Sequence, residues 1–354
     1  MSLFNDLLSS EQTLFIDESV LDFDYIPDCI KNRDFEMNKI ADSIKPLFFD
    51  KRPANVFITG KPGIGKTLTV RYILQDLSEN RNEVIPCYIN NWKCSTYHSV
   101  FVELSKFFGV PYPRKGVSTD EIIRNIIKKI EGKKGVVIVF DEIDKAKDTD
   151  FIYPLVEGLG RKIGIILISN YSDFLKRMDS RLISRLNIEN LDFKEYDYSQ
   201  VSDILKERVK YAFFPDVFES AALKLVVDHC FEKRDLRMGI SLLLKSGRAA
   251  ENDASRKIKE EHVLSAIKTL KNSAKTDMIK ELQEHEKAII NLLQNNNGLI
   301  TGELYELFIK SNKGVSLRTF RKYLNRLETL EFITTEETGQ GFRGKSRKIF
   351  LRKN

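Results

Sequence analysis

Apolar residues in the first half of the chain gather into short runs divided by stretches of helical spacing. Asn55-Val56-Phe57-Ile58-Thr59, Val84–Ile89, Gly135–Phe140 and Ile163–Ser169 are nearly continuous apolar runs of strand length, which predicts strands buried on both faces. The alternation over about 17–192 predicts an α/β core, a parallel sheet with helices on both faces. Beyond it the period changes. Gln200–Tyr211, Glu219–Cys230, Asp235–Asn252 and Lys259–Leu270 carry only helical patterns, so 193–270 is expected to be a small all-helical domain. Lys271–Glu284 is polar and charged, suited to an exposed connecting helix or a linker. Residues 285–354 form a third unit, helices followed by a hairpin, and 1–16 precede the core as an N-terminal extension.

The third unit has the more informative pattern. Ser316 is placed to cap a helix running to about Leu330. Leu317, Phe320, Leu324 and Leu327 make its core-facing stripe, while Arg318, Lys322 and Arg326 follow at i, i+4 and i+8 on roughly the opposite face. Glu303–Lys310 supplies a preceding helix, with Gly314 in the turn, so the pair has the form of a helix-turn-helix. Phe332-Ile333-Thr334, a glycine-rich segment through Arg343, Lys345 and Arg347, and the strand Lys348–Leu351 then predict a β-hairpin with a basic tip, the wing of a winged helix.

Composition adds a charge argument. The chain has 354 residues and a formal charge of +6, mild in size but uneven in distribution. Lys313 to Arg326 hold five basic residues and no acid, and Gly341 to the end hold six more, again without acid. A positive field of this kind suits nucleic acid before membrane, because no lipid-facing apolar stripe accompanies it. A solvated basic tail, or a winged helix used for protein contact, are the competing explanations. The docking mode expected for DNA puts the helix in the major groove and Arg343, Lys345 and Arg347 at phosphates or the minor groove. No apolar run approaches the length of a membrane span, and Met1–Ser10 lacks the pattern of a secretory signal. Four scattered cysteines and four dispersed histidines point to free thiols in a reducing cytoplasm and to no zinc site.

Chemistry enters at Gly60-Lys61-Pro62-Gly63-Ile64-Gly65-Lys66-Thr67, between a strand and the helical stretch beginning at Leu68. In that context the segment is a phosphate loop. Gly63, Ile64, Gly65 and Leu68 belong to the backbone wrap around a nucleoside triphosphate, Lys66 reaches its β and γ phosphates, and Thr67 ligates Mg²⁺. The strand Val136–Phe140 delivers Asp141 and Glu142 to its carboxyl end, where ligands sit in open α/β sheets. Asp141 there suits Mg²⁺ held through water, and Glu142 suits orienting or deprotonating the attacking water. Asn170 ends the next strand, either as a hydrogen-bond partner of that water or of the γ phosphate, or as a turn-forming residue.

This order of phosphate loop, Asp-Glu strand, Ser-Asn strand and helical segment resembles the AAA+ ATPases. More narrowly, it resembles the archaeal origin-recognition and cell-division-control type replication initiators. Val20–Arg33, Pro53–Thr67, Phe140–Asp144, Ile168–Asn170, Asp179–Leu186, Tyr196–Arg208 and Asp235–Leu242 carry the closer resemblance, which runs over nearly the whole chain. It implies a helical lid over the nucleotide and a terminal winged helix. It further implies that Tyr25, Ile26, Pro27 and Arg33 lie near the base, and that Tyr196 and Arg208 contact nucleotide from the lid. By the same resemblance Arg237 senses the γ phosphate in cis, and Arg185, with Arg181 as competitor, is an arginine finger acting across a subunit interface. Pro111–Ile122 resembles the family's helical insertion, which implies DNA contacts at Arg114 and Lys115. Two departures stand out: Arg234 occupies the usual glycine before Asp235, and Pro154 interrupts a helix of the core.

The expected function is an ATP-dependent replication initiator that binds origin duplex DNA, uses ATP/ADP with Mg²⁺ as a slow switch, and works with a replicative helicase or other initiator subunits. Its expected place is the cytoplasm, on the nucleoid. Two alternatives are a loader of clamps or helicases and a signalling-type regulatory ATPase whose winged helix relays conformation.

Overall fold

The computed structural model describes residues 13–80, 83–109, 116–312, 314–330, 332–341 and 344–352. The chain divides into two compact units, 1–266 and 267–354. The first alternates α1 (Asp34–Ile44), β1 (Asn55–Thr59), α2 (Lys66–Asn80), β2 (Val84–Asn90), α3 (Tyr97–Phe107), α4 (Thr119–Glu131), β3 (Gly135–Asp141), α5 (Ile152–Leu159), β4 (Ile163–Ile168), α6 (Ser180–Leu186) and β5 (Ile188–Asp192). The five strands are all parallel, in the order β2-β3-β4-β1-β5.

β1, β3 and β4 are buried along their whole length, as continuous apolar runs require. Successive residues feed opposite faces. Phe57, Ile138, Phe140, Ile165 and Leu167 join the core that α3 to α6 cover, whereas Val56, Ile58, Val137, Val139 and Ile166 join the one beneath α1 and α2. Pro154 falls in the first turn of α5, where a missing N–H breaks no helical hydrogen bond.

α7 (Tyr198–Ala212), α8 (Ser220–Lys233) and α9 (Leu236–Asn252) form the lid, as the change of period predicts. Phe15, just after the described chain begins, stacks on Phe213 with ring centroids 4.7 Å apart and fills the space above Gly247. α10 (Glu260–Glu281) passes from the first unit into the second and includes the polar stretch after Lys271.

The second unit contains α11 (Glu284–Asn295), β6 (Leu299–Ile300), α12 (Thr301–Ser311), α13 (Leu317–Thr329), β7 (Ile333–Gly341) and β8 (Gly344–Leu351), with the strands in the order β6-β8-β7. Ile289, Leu293, Phe308, Phe320, Leu324, Leu327 and Ile349 close its core. This is a winged helix. The expected stripe on α13 holds for Phe320, Leu324 and Leu327, but Leu317 is 38% exposed. It is the first residue of the helix, beyond the reach of α11 and α12. Among the described residues no helix is long and apolar enough to cross a membrane.

Candidate nucleotide site and nucleic-acid face

The carboxyl ends of β1, β3 and β4 face the lid across a cavity of about 310 Å³. The phosphate loop bends because Gly60, Gly63 and Gly65 take φ of +142°, +77° and +91°, values that glycine adopts without strain. Two of them also face the lid. A Cβ on Gly63 would lie 2.0 Å from Asp235 Oδ1, and one on Gly65 would lie 3.0 Å from the Tyr196 hydroxyl. The Leu236 amide donates to the Gly63 carbonyl at 3.3 Å. Asp235 meanwhile caps α9, accepting from the Arg237 amide. The lid helix therefore starts against the loop itself.

Lys66 is 6% exposed, and its Nζ donates to the carbonyls of Gly60 and Lys61 at 2.7 and 2.8 Å and to Asn170 Oδ1 at 2.8 Å. Burial lowers its pKa from 10.5 to about 8, against the opposing pull of Asp141. Asn170 thus meets Lys66 directly from the neighbouring strand end. Asp141, 2% exposed, accepts from the Thr67 hydroxyl at 2.8 Å, the Tyr88 hydroxyl at 2.6 Å and the Glu142 amide at 2.8 Å. Thr67 and Asp141 are paired oxygen donors of the type a hard divalent cation takes. Glu142 sits in the left-handed region at φ +50°, which turns its carboxylate off the strand and into the cleft. Burial first, and then the charges of Asp141 and Asp144, raise its pKa.

Tyr25, Pro27, Tyr196, Arg208 and Arg237 line the same cavity as Lys66 and Thr67. Arg208 is 6% exposed, donates to the Val20 carbonyl at 2.9 Å and lies 4.8 Å from the Tyr25 ring centroid, so it welds the N-terminal turn to the lid. Arg237 is held by Asp235, with both contacts at 3.2 Å.

Two expected contacts fall elsewhere. Ile26 does not line the cavity, whereas Ile64, expected through its backbone, keeps its place in the loop and buries its side chain behind it. Arg33 is 3% exposed and also does not line the cavity. Its guanidinium donates to Glu36 at 2.6 Å, to the carbonyls of Ile64 at 2.9 Å and Lys194 at 2.8 Å, and to the Tyr196 hydroxyl at 2.9 Å. Arg33 braces the loop from behind, because its donors are spent on protein acceptors. Arg185 is exposed outside this cavity, its guanidinium 4.7 Å from the Tyr153 ring centroid, and Arg181 is exposed on the same helix. Arg234 takes φ +54° after α8, which accounts for a glycine being usual there, and its guanidinium pairs with Glu195 at 2.6 Å. Glu195 also pairs with Lys61 of the loop. Tyr88 and Glu195 escape the motif reading, and Asp235 enters it only as the neighbour of Arg237, without its contact to Gly63. Of the first two only Tyr88 left a trace, as the polar residue of the strand beside Asp141.

On the second unit, Arg318, Arg321, Lys322 and Asn325 share the exposed side of α13. Arg326, expected among them, instead donates to Glu286 Oε1 of α11 at 3.2 Å, and Glu286 is wholly buried. A buried carboxylate holds its counter-charge, so Arg326 is a structural group. Arg321 is the basic residue that the i, i+4, i+8 count passed over. In the hairpin, Arg347 stands opposite Glu337 and Lys348 opposite Glu336. Opposite charges so placed attract across a strand pair, so Glu336 offsets part of the positive charge at Lys348. Lys345 lies in β8 towards the tip. Arg114, Lys115 and Arg343 lie outside the described residues.

Comparisons with known proteins cover nearly the whole chain. An AAA domain matches residues 50–178, and a Cdc6 AAA+ ATPase-type lid domain matches residues 202–268. The ORC1-type DNA replication protein 2 of Methanosarcina mazei is 31% identical over 355 residues, 98% of this chain and 95% of that protein. The ORC1-type DNA replication protein 1 of Sulfurisphaera tokodaii is 30% identical over 378 residues, 99% of this chain and 94% of that protein. Among solved structures, the Aeropyrum pernix ORC1 protein in complex with DNA matches 96% of this chain and 94% of its own, with a TM-score of 0.76 at 27% identity. Cdc6p from Pyrobaculum aerophilum shares the fold over 96% of this chain and 95% of its own, with a TM-score of 0.64 at 20% identity.

Proposed function

The chain belongs to the ORC1-type DNA replication proteins and is a nucleotide-binding AAA+ ATPase, and from that premise we propose that it grips origin duplex DNA and uses ATP binding and hydrolysis as a switch on the DNA-bound state. One observation carries the switch: the lid helix α9 begins on the phosphate loop, with Asp235 against Gly63 and the Leu236 amide on the Gly63 carbonyl. Whatever fills the loop acts on the lid through that contact.

Thr67 and Asp141 would hold Mg²⁺, which would offset phosphate charge and polarise the γ phosphate. Lys66 turns its ammonium from Asn170 Oδ1 to the phosphate oxygens, and Asn170 is then free to donate to them through Nδ2. Glu142, with its raised pKa, is a stronger base than an ordinary carboxylate and takes a proton from the attacking water. Arg237 exchanges Asp235 for the γ phosphate, which ties hydrolysis to the start of the lid. Arg185, exposed and away from its own cavity, suits a site completed by a neighbouring initiator subunit.

For DNA, the exposed side of α13 with Arg318, Arg321 and Lys322 enters the major groove, and the wing tip with Arg343, Lys345 and Arg347 follows the backbone. Arg114 and Lys115 of the core insertion add a second contact. The DNA-bound protein then recruits a replicative helicase at the nucleoid. The relative from Aeropyrum pernix, solved in complex with DNA, supports this reading. The test is the salt dependence of duplex binding by the full chain. Neutralising Arg318, Arg321 or Lys322 is expected to reduce the slope of log K against log salt by about 0.9 each, and Arg326→Gln to leave it unchanged. A slope unmoved by all four changes removes α13 from the DNA interface.

A further inference from the structure

We propose that the carboxyl edge of the sheet also carries a stacking platform for the unpaired bases of single-stranded nucleic acid, formed by Trp92, Tyr171, Lys145 and Arg177. Trp92 is the only tryptophan in the chain. It is 69% exposed, and Tyr171 is 49% exposed. They stand in the turns after β2 and β4, the two strands that flank β3. Lys145 comes from the turn after β3 and lies between them. Its Nζ is 5.1 Å from the Trp92 ring centroid and 6.0 Å from that of Tyr171, while the Arg177 guanidinium lies 5.9 Å from the Tyr171 ring.

The rings are displayed by ordered turns. The Trp92 amide donates to Asn90 Oδ1 at 2.9 Å, and the amides of Lys93 and Cys94 donate to the Asn90 carbonyl at 3.0 Å each. Asn91, fully buried, anchors the same turn through the Cys94 carbonyl. The cations are positioned as well. Lys145 pairs with Asp144, which also accepts from the Ser169 hydroxyl, and Arg177 pairs with Asp173 at 3.0 Å. Lys93, Lys147 and Lys176 are exposed in the same turns. Asp148 and Asp150 are exposed just beyond Lys147.

Aromatic faces interleaved with cations match the chemistry of a single strand, whose bases stack while its phosphates are neutralised. A duplex cannot use them, since its base faces are already stacked. A protein partner would favour a more apolar, less charged centre. The platform adjoins the nucleotide site, because Tyr171 follows Asn170 and Lys145 is joined through Asp144 to Ser169. It uses no residue of α13 or the wing, so it stands or falls separately from the duplex reading.

The experiment titrates the full chain with oligo(dT) of about 16 nucleotides, following the intrinsic fluorescence of Trp92 and the anisotropy of labelled oligonucleotide. Saturable quenching is expected. Trp92→Ala should weaken oligo(dT) binding about 5- to 150-fold, the loss of one base–aromatic stack, and Trp92→Phe should restore most of it. Duplex affinity and ATP affinity of Trp92→Ala should remain at wild-type levels, which also verifies its fold. A flat fluorescence titration, or wild-type oligo(dT) affinity in Trp92→Ala, overturns the proposal. Fluorescence that changes with protein concentration alone and not with oligonucleotide overturns it too, and assigns the surface to a second copy of the chain.

Discussion

The buried ammonium of Lys66 makes nucleotide affinity depend on pH in a calculable way. Without nucleotide, burial holds its pKa at about 8 instead of 10.5, a difference of roughly 3 kcal/mol between the two environments for the charged form. Phosphate oxygens favour the charged form, so the bound state has the higher pKa. Below about pH 8 Lys66 is charged both free and bound, and affinity is flat on its account. Above it, binding must take up a proton, and affinity falls about tenfold per pH unit until the bound pKa is reached. Between about pH 7.5 and 9.5 the loss should be roughly 25-fold, near 2 kcal/mol. Fluorescent-nucleotide titrations measure the affinity, and calorimetry in buffers of different ionisation enthalpy counts the proton. Lys66→Arg retains a charge throughout this range and should flatten the profile. The measurements belong in a Cys29→Ser background, since that residue also lines the cavity. An affinity that is level to pH 9.5, or binding with no proton uptake at pH 9, would refute the electrostatic account of Lys66.

Two further outcomes follow from the geometry. Glu142→Gln should bind ATP with near wild-type affinity yet hydrolyse it at least about 100-fold more slowly, the contribution of a positioned base; single-turnover kinetics check it, and normal turnover removes Glu142 from the proton transfer. Arg326→Ala leaves the carboxylate of Glu286 buried without its counter-charge, which should cost about 2 kcal/mol, less than a fully buried pair because the arginine is half in solvent. Amide exchange across α11 and α13 should accelerate by about 30-fold, and unchanged protection would show that the pair is idle.

Sequence patterns located the elements well where local physics suffices. Continuous apolar runs marked β1, β3 and β4 because strands buried on both faces have no polar side, and glycine spacing marked the phosphate loop because its backbone needs positive φ. The same patterns failed where a partner comes from far along the chain. Arg326 looked like one more cation on a basic helix until α11 brought Glu286 to it. Arg33 matched the initiator pattern, but the surroundings that consume its donors come from the loop and from Lys194 and Tyr196.

By itself the sequence therefore determined which segments bind phosphate, which are strands, and where positive charge accumulates, since these depend on residue type and short spacing. Tertiary structure alone decided which of those charges remain available. It placed Asp235 against Gly63, turned Glu142 into the cleft, lowered the Lys66 pKa by burial, and left Trp92 and Tyr171 in solvent around Lys145. Availability depends on burial and on the nearest opposite charge, and both are set by packing between residues far apart in the chain.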